Sequence, residues 1–187
     1  LGQTRKERRI DLRHRQMGIR DGDIGMDDKT TVIILAAGKG TRMEGIPSDI
    51  NKCVYDWGGN NPLSYTIETF LSLGLEDFLV VTGYGHESIE KVLQGLRERA
   101  DIETVYNNNY EAHGCNYSLS CAVKSKMVND ADRIIIVEGD SLHSREVLRK
   151  VVESPFESSV LLRDKTFVDV KRSVVALGSD NKVKKFV

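Results

Sequence analysis

The chain has 187 residues, 40% of them hydrophobic, enough to bury one good core, so one domain is the natural count. A formal net charge of −1 excludes a global field that would draw it to nucleic acid or to an anionic membrane. No apolar run approaches the ~18 residues of a membrane-spanning helix, and Cys53, Cys115 and Cys121 have no paired or metal-ligand spacing, which points to reduced thiols in the cytoplasm.

Residues 1–30 do not share the pattern of the rest. Arg5, Lys6, Arg8, Arg9, Arg13, Arg15 and Arg20 crowd a segment without apolar periodicity, and Asp21-Gly-Asp-Ile-Gly25 reads as flexible chain. The segment lacks a signal peptide's apolar core. It reads as a basic leader or the remnant of an upstream segment, with an RNA-binding arm as the weaker alternative. No basic, aromatic-rich face follows it, so no nucleic-acid partner is expected.

The organised pattern starts at Thr31. Val32 to Leu35 has the composition of a buried parallel strand. Ala36, Ala37, Gly38 and Gly40 then keep side chains small past its carboxyl end, where open α/β sheets bind ligands. Backbone N–H groups of such a loop can face phosphate oxygens, and Lys39, Thr41 and Arg42 add charge and a hydroxyl. Met43 stands where a dinucleotide fingerprint needs its third glycine, and Gly38-Lys39-Gly40-Thr41 does not have the order of a Walker loop.

Cys53-Val-Tyr55 is strand-like and precedes the turn Gly58-Gly-Asn60. Asn61-Pro-Leu-Ser64 opens a helix with Leu63, Ile67, Phe70 and Leu71 on one face, ended by Gly74. Phe78 to Thr82 is a second buried strand, followed by the turn Gly83-Tyr84-Gly85. Glu87 to Arg99 is amphipathic, Ile102 to Tyr106 is a third strand, and Tyr117 to Val128 carries apolar residues at helical spacing. Arg133 to Val137 is a fourth strand, Val147 to Val152 a helix, and Ser158 to Leu162 a fifth strand. Ser173 to Leu177 and Lys182 to Val187 suggest a hairpin. This alternation predicts an α/β sheet covered on both faces.

The fourth strand ends in Glu138-Gly139-Asp140, so two carboxylates come to the same sheet edge as the glycine loop. Hard oxygen ligands beside a phosphate cradle suit Mg²⁺. The competing reading is a cap, by Asp140 or Ser141, on the helix beginning near Ser144. Asn107 to Ser118 is rich in Asn, Ser and Gly, residues able to read base edges. Asn116 and Ser118 are the candidates there, and either also suits an N-cap.

Leu35-Ala-Ala-Gly-Lys-Gly-Thr-Arg-Met43 resembles, position for position, the signature of the nucleotidyltransferases that include sugar-nucleotide pyrophosphorylases and phosphocholine cytidylyltransferases. The resemblance covers residues 31–187 and implies a three-layer Rossmann-like fold with a mixed, mostly parallel sheet. It implies an NTP and a small phosphorylated acceptor as partners, with Mg²⁺ as cofactor. Arg42 and Lys52 would contact phosphates, although family members often place that lysine directly after proline, and here Ser-Asp-Ile-Asn separates Pro47 from Lys52. Leu35 to Thr41, Gly83, Tyr84, Gly85, Asn116 and Ser118 would bind the nucleotide. Asp140 matches the family's metal-binding Asp; Glu138 stands where the family often has Asp.

The stretch from Asn107 to Ala122 is more similar to phosphocholine cytidylyltransferases, which favours CTP and a phosphate or phosphonate monoester such as phosphocholine. A sugar-1-phosphate with UTP, dTTP or GTP is the near alternative, and a non-catalytic nucleotide-binding module another. The family has a second, late metal carboxylate, for which only Asp164, Asp169 and Asp180 remain. The expectation is therefore a catalytic domain whose C-terminal part is missing.

Overall fold

The computed structural model describes residues 28–41, 43, 45, 47–161, 175–177 and 183–186. The basic leader, Arg42, Asp164, Asp169 and Asp180 lie outside these. The chain forms two compact units, the first ending at Pro155 and the second starting at Phe156.

The first unit is built on β1 (Thr30–Leu35), β2 (Asp77–Thr82), β3 (Asp101–Tyr106) and β4 (Arg133–Glu138), in the order β3-β2-β1-β4. All three pairings are parallel. Alternate residues of the central strand point to opposite faces, and both faces are buried. Val32, Ile34 and Ala36 join Phe78, Val80 and Ile135 under α1 (Pro62–Leu71), α2 (His86–Gln94) and α5 (Arg145–Val152), which contribute Leu63, Ile67, Phe70, Ile89, Leu93 and Leu148. Ile33, Ala37, Leu79 and Val81 meet Ala122, Met127 and Val128 from α3 (Cys115–Ala122) and α4 (Lys126–Asn129). The three layers expected from the alternation are present.

Helix starts follow local chemistry. Asn61 caps α1 by accepting the Ser64 N–H at 2.9 Å, with Pro62 in the first turn. Ser144 caps α5 by accepting from Val147, so neither Asp140 nor Ser141 has the capping role weighed for it. Gly114 is the N-cap of α3, which leaves Asn116 and Ser118 inside the helix rather than capping it.

Several elements differ from expectation. Cys53-Val-Tyr55 is not a strand: Lys52–Val54 is a short 3-10 helix, closed by Asn51 Oδ1 accepting the Cys53 N–H at 2.9 Å. The helix expected from Tyr117 to Val128 is two helices, broken where Ser125 turns its hydroxyl oxygen to the Met127 N–H. The helix expected to reach Arg99 stops at Gln94, before Gly95. Residues 158–161 are not strand. The antiparallel strand expected in the sheet is not among its described strands; the antiparallel pairing is that of β5 (Val175–Leu177) with β6 (Val183–Phe186) in the second unit. Among the described residues no helix is long and apolar enough to cross a membrane.

Candidate active site

Strand register decides which loops meet. Leu35 at the end of β1 lies beside Val81 of β2 and Glu138 of β4. The ladder continues one step further on both sides, with Ala36 N–H donating to Val81 O and Gly139 N–H donating to Leu35 O, each at 2.9 Å. The glycine loop, the β2 turn and the Glu138-Gly-Asp140 corner therefore leave the sheet at one level. A cavity of about 350 Å³ opens there, lined by Leu35, Ala36, Ala37, Gly38, Lys52, Cys53, Tyr110, His113, Gly114, Cys115, Ser118, Glu138 and Asp140.

Lys52 and Asp140, 88 positions apart, form an ion pair on its wall. The lysine is held from both ends. Asn51 starts the 3-10 helix that carries it, and its stem lies against Gly40, whose φ of +66° favours glycine. A Cβ at Gly40 would sit 2.9 Å from Lys52 Cδ. Beneath the pair, the Cys53 thiol is buried, and Gly139 lies so close that a Cβ there would come within 3.1 Å of Cys53 Sγ. Burial, reinforced by the negative charge of Asp140, pushes the Cys53 thiol up to about 12. It stays a neutral S–H at physiological pH and is a poor nucleophile.

The opposite wall comes from the segment between β3 and α3. Asn107 is fully buried; its Nδ2 donates to Ser118 Oγ at 3.0 Å and its Oδ1 accepts the Asn109 N–H at 2.9 Å. That fixes Ser118 on the cavity surface. Asn116 is exposed on α3 and does not line the cavity.

The turn Gly83-Tyr84-Gly85 is also off the cavity. It packs behind the glycine loop: Tyr84 N–H donates to Ala37 O at 3.0 Å, and a Cβ at Gly83 would meet Ala37 O at 2.8 Å. The Tyr84 hydroxyl donates to Ser48 O, and its ring lies edge-on to Tyr110. Lys39 leans outward, 3.6 Å from Glu111 and 5.6 Å from the Tyr84 ring centre. Of the sequence-derived candidates, Leu35 to Gly38, Lys52, Ser118, Asp140 and Glu138 thus share one cavity. Lys39, Gly40 and Thr41 are not among its lining residues.

The cavity-lining residues Cys53, Tyr110, His113, Gly114 and Cys115 were not singled out from sequence, nor was the buried Asn51. Only the density of polar and glycine residues from Asn107 to Ser118 signalled the second wall.

The donor set fits a hard cation of modest demand. Asp140 and Glu138 offer carboxylate oxygens to the same cavity, and among the described residues no group of three or more His, Cys, Asp or Glu gathers into a dedicated cage. Mg²⁺ is commonly held in this manner, by one or two carboxylates while phosphates and water complete the shell.

Choline-phosphate cytidylyltransferase of Haemophilus influenzae is 30% identical over 115 residues, 62% of this chain and 46% of that protein. CTP:phosphoglutamine cytidylyltransferase of Campylobacter jejuni is 27% identical over 133 residues, 70% and 51% of the two chains. Bifunctional protein GlmU of Corynebacterium glutamicum is 28% identical over 114 residues, 61% of this chain and 23% of that one. The chain thus spans about half or less of the length of these curated relatives. The solved inositol-1-phosphate CTP transferase of T. maritima shares the fold, with a TM-score of 0.63 at 22% identity over 83% of this chain and 62% of its own. The model of the MobA-like NTP transferase domain matches residues 32–164, more than half of the sequence, and the chain belongs to that family.

Proposed function

We propose that the protein transfers a nucleotidyl group from an NTP, with CTP favoured, to a small phosphate or phosphonate monoester. The observation that carries the proposal is the single cavity gathering the glycine loop, Lys52 and Asp140 at the carboxyl edge of the sheet. CTP is favoured because two relatives matched over more than half of this chain are named cytidylyltransferases.

In the reaction, an anionic oxygen of the acceptor forms a bond to the α-phosphorus. The bond from that phosphorus to the oxygen bridging to the β-phosphate breaks, and pyrophosphate leaves with the electron pair. The attacking oxygen is already charged, so no protein nucleophile or general base is needed. The chain contributes position and charge. Loop amides from Ala37 to Thr41 cradle the phosphates, and Arg42 and Lys52 neutralise them. Ser118, which Asn107 holds on the cavity wall, hydrogen-bonds the base or ribose in this reading.

Mg²⁺, when bound, offsets phosphate charge and orients the triphosphate; Asp140 would hold it, with Glu138 as the second available carboxylate. Lys52 occupies Asp140 in this structure, so an incoming triphosphate competes for the lysine as it arrives. The reaction belongs in the cytoplasm, where nucleoside triphosphates and reduced thiols coexist.

The test is pyrophosphate release across CTP, UTP, GTP and dTTP, each combined with phosphocholine, other amino-alcohol phosphates and sugar-1-phosphates. Turnover that depends on CTP and an amino-alcohol phosphate is expected. A preference for UTP or dTTP with a sugar-1-phosphate would transfer the assignment to that substrate class. NTP binding without release from any pair would favour a nucleotide-binding module.

A further inference from the structure

We propose that Asn51 is a positioning residue that aims the glycine loop at the triphosphate and sets Lys52 in the same act; the inference rests on the nucleotidyl-transfer reading of the cavity. Asn51 is fully buried, and both ends of its side-chain amide are used. Nδ2 donates to Ala36 O at 2.9 Å and to Tyr84 O at 2.7 Å, and lies 3.4 Å from Gly38 O. Oδ1 accepts the Cys53 N–H at 2.9 Å and so starts the 3-10 helix at Lys52. Its own N–H donates to Ser88 Oγ at 3.0 Å. One side chain ties the β1 loop, the β2 turn and the lysine segment together.

Peptide geometry gives this clamp a direction. A planar trans peptide points its C=O and the next residue's N–H to opposite sides. Holding Ala36 O and Gly38 O against Asn51 therefore turns the N–H groups of Ala37 and Lys39 away from it. Tyr84 N–H, by holding Ala37 O, does the same for Gly38. Three consecutive amides of the loop are thus fixed by contacts on their carbonyl side, and a phosphate approaching them meets donors whose orientation is already set.

The side chain has to be an amide. A carboxylate of the same shape would retain the acceptor for Cys53 but would present negative charge to three carbonyl oxygens. Gly85 makes the close approach possible: it has φ +61°, and a Cβ there would lie 2.7 Å from Asn51 N.

The test uses the full chain and its Asn51→Asp variant, with CTP and Mg²⁺ as the titrant and hydrogen exchange of the Tyr84 amide as a second readout. That amide bonds Ala37 O rather than Asn51, so it reports where the loop lies. CTP binding weakened by about tenfold or more is expected, as for the loss of one or two buried hydrogen bonds. Faster exchange at Tyr84 should accompany it, with the KM for the acceptor unchanged.

A merely structural role would lower the melting temperature yet leave the CTP affinity of the folded protein intact. Affinity within about twofold of wild type in a folded variant overturns the positioning role alone. Failure of the wild type to bind any of the four NTPs overturns the functional reading and the inference with it. Should Asn51→Asp not fold, Ser88→Ala decides, since it removes the acceptor of the Asn51 N–H, together with the Ser88 hydroxyl's bond to Gly85 O, and leaves the Asn51 side chain in place. About two- to fivefold weaker CTP binding with faster Tyr84 exchange is then expected, and unchanged values refute the clamp.

Discussion

Adding one methyl group at Gly83 and one at Gly38 separates what holds the glycine loop from what the loop holds. At Gly83 a Cβ would lie 2.8 Å from Ala37 O, 2.8 Å from Tyr110 Cβ and 2.9 Å from Ala37 Cβ. None of these atoms is the free end of a flexible side chain, so relief requires the β2 turn and the glycine loop to part. Their hydrogen bond, from Tyr84 N–H to Ala37 O, would lengthen with them. Overpacking of this kind costs about 1–3 kcal/mol. At about 2–4 °C per kcal/mol for a chain of this size, Gly83→Ala should melt about 2–12 °C below wild type. Gly38 has nothing within 4 Å of its would-be Cβ and lines the cavity. Gly38→Ala should therefore unfold within about 0.5 kcal/mol of wild type, while the methyl keeps the triphosphate off the loop. A displacement of about 1 Å would cost ~10²-fold in turnover. Urea unfolding followed by tryptophan fluorescence gives the first quantity, and pyrophosphate release under saturating acceptor gives the second. A Gly83→Ala protein as stable as wild type, or a Gly38→Ala protein equally destabilised, would refute the packing argument.

Three further outcomes follow from named side chains. Asp140→Asn removes the partner of Lys52 from a partly exposed ion pair while keeping a side chain of the same shape, so stability should fall by no more than about 1 kcal/mol. Turnover should drop by about 10²–10³, as for loss of one transition-state contact; a variant with turnover intact but a lower melting point would make Asp140 purely structural. Arg42→Ala should weaken NTP binding without a change in melting temperature, and equal affinity by calorimetry would remove Arg42 from the phosphate site. Cys53 makes stability depend on alkaline pH: its thiol ionises at about 12 when folded, against 9.0 as its ordinary value. Below pH 9 both states are protonated and the stabilisation is complete. Between pH 9 and 12 the unfolded chain loses the proton first, so stability declines by up to about 1.4 kcal/mol per pH unit. Cys53→Ala should lack that share of the slope; parallel pH–stability profiles would refute the assignment.

What was legible in the sequence follows from how local each signal is. β1 and its loop were readable because a β-branched run and its small-residue exit record burial on both faces and a loop kept clear of large side chains within one short window. The same holds for β2, β4 and α1, whose cap and first-turn proline stand next to the apolar face they introduce. Cys53 and Val54 are as apolar as a strand, and both are buried. Their conformation was set by the preceding Asn51, whose side chain bonds the Cys53 N–H and leaves no extended ladder to join. Ser125 had the same effect between Tyr117 and Val128, where apolar spacing persists across a break made by one hydroxyl.

The site divides along the same line. Lys52 and Asp140 stood out as charges beside recognisable segments, but their pairing spans 88 positions and depends on β1 and β4 being neighbours. Gly83-Tyr84-Gly85 looked like ligand-facing chain because glycine permits close approach. Glycine does not say what approaches, and here it is Ala37 and Asn51. Asn51 itself gave no signal, since an isolated Asn ahead of a Lys is common in solvated turns. Its importance comes from being buried among three backbone carbonyls that have no other way to meet. A buried carbonyl without a donor costs about 1–3 kcal/mol, and the buried Ala36 O finds its donor in Asn51. The chain supplies that donor one residue before Lys52, whose stem packs against the same loop at Gly40.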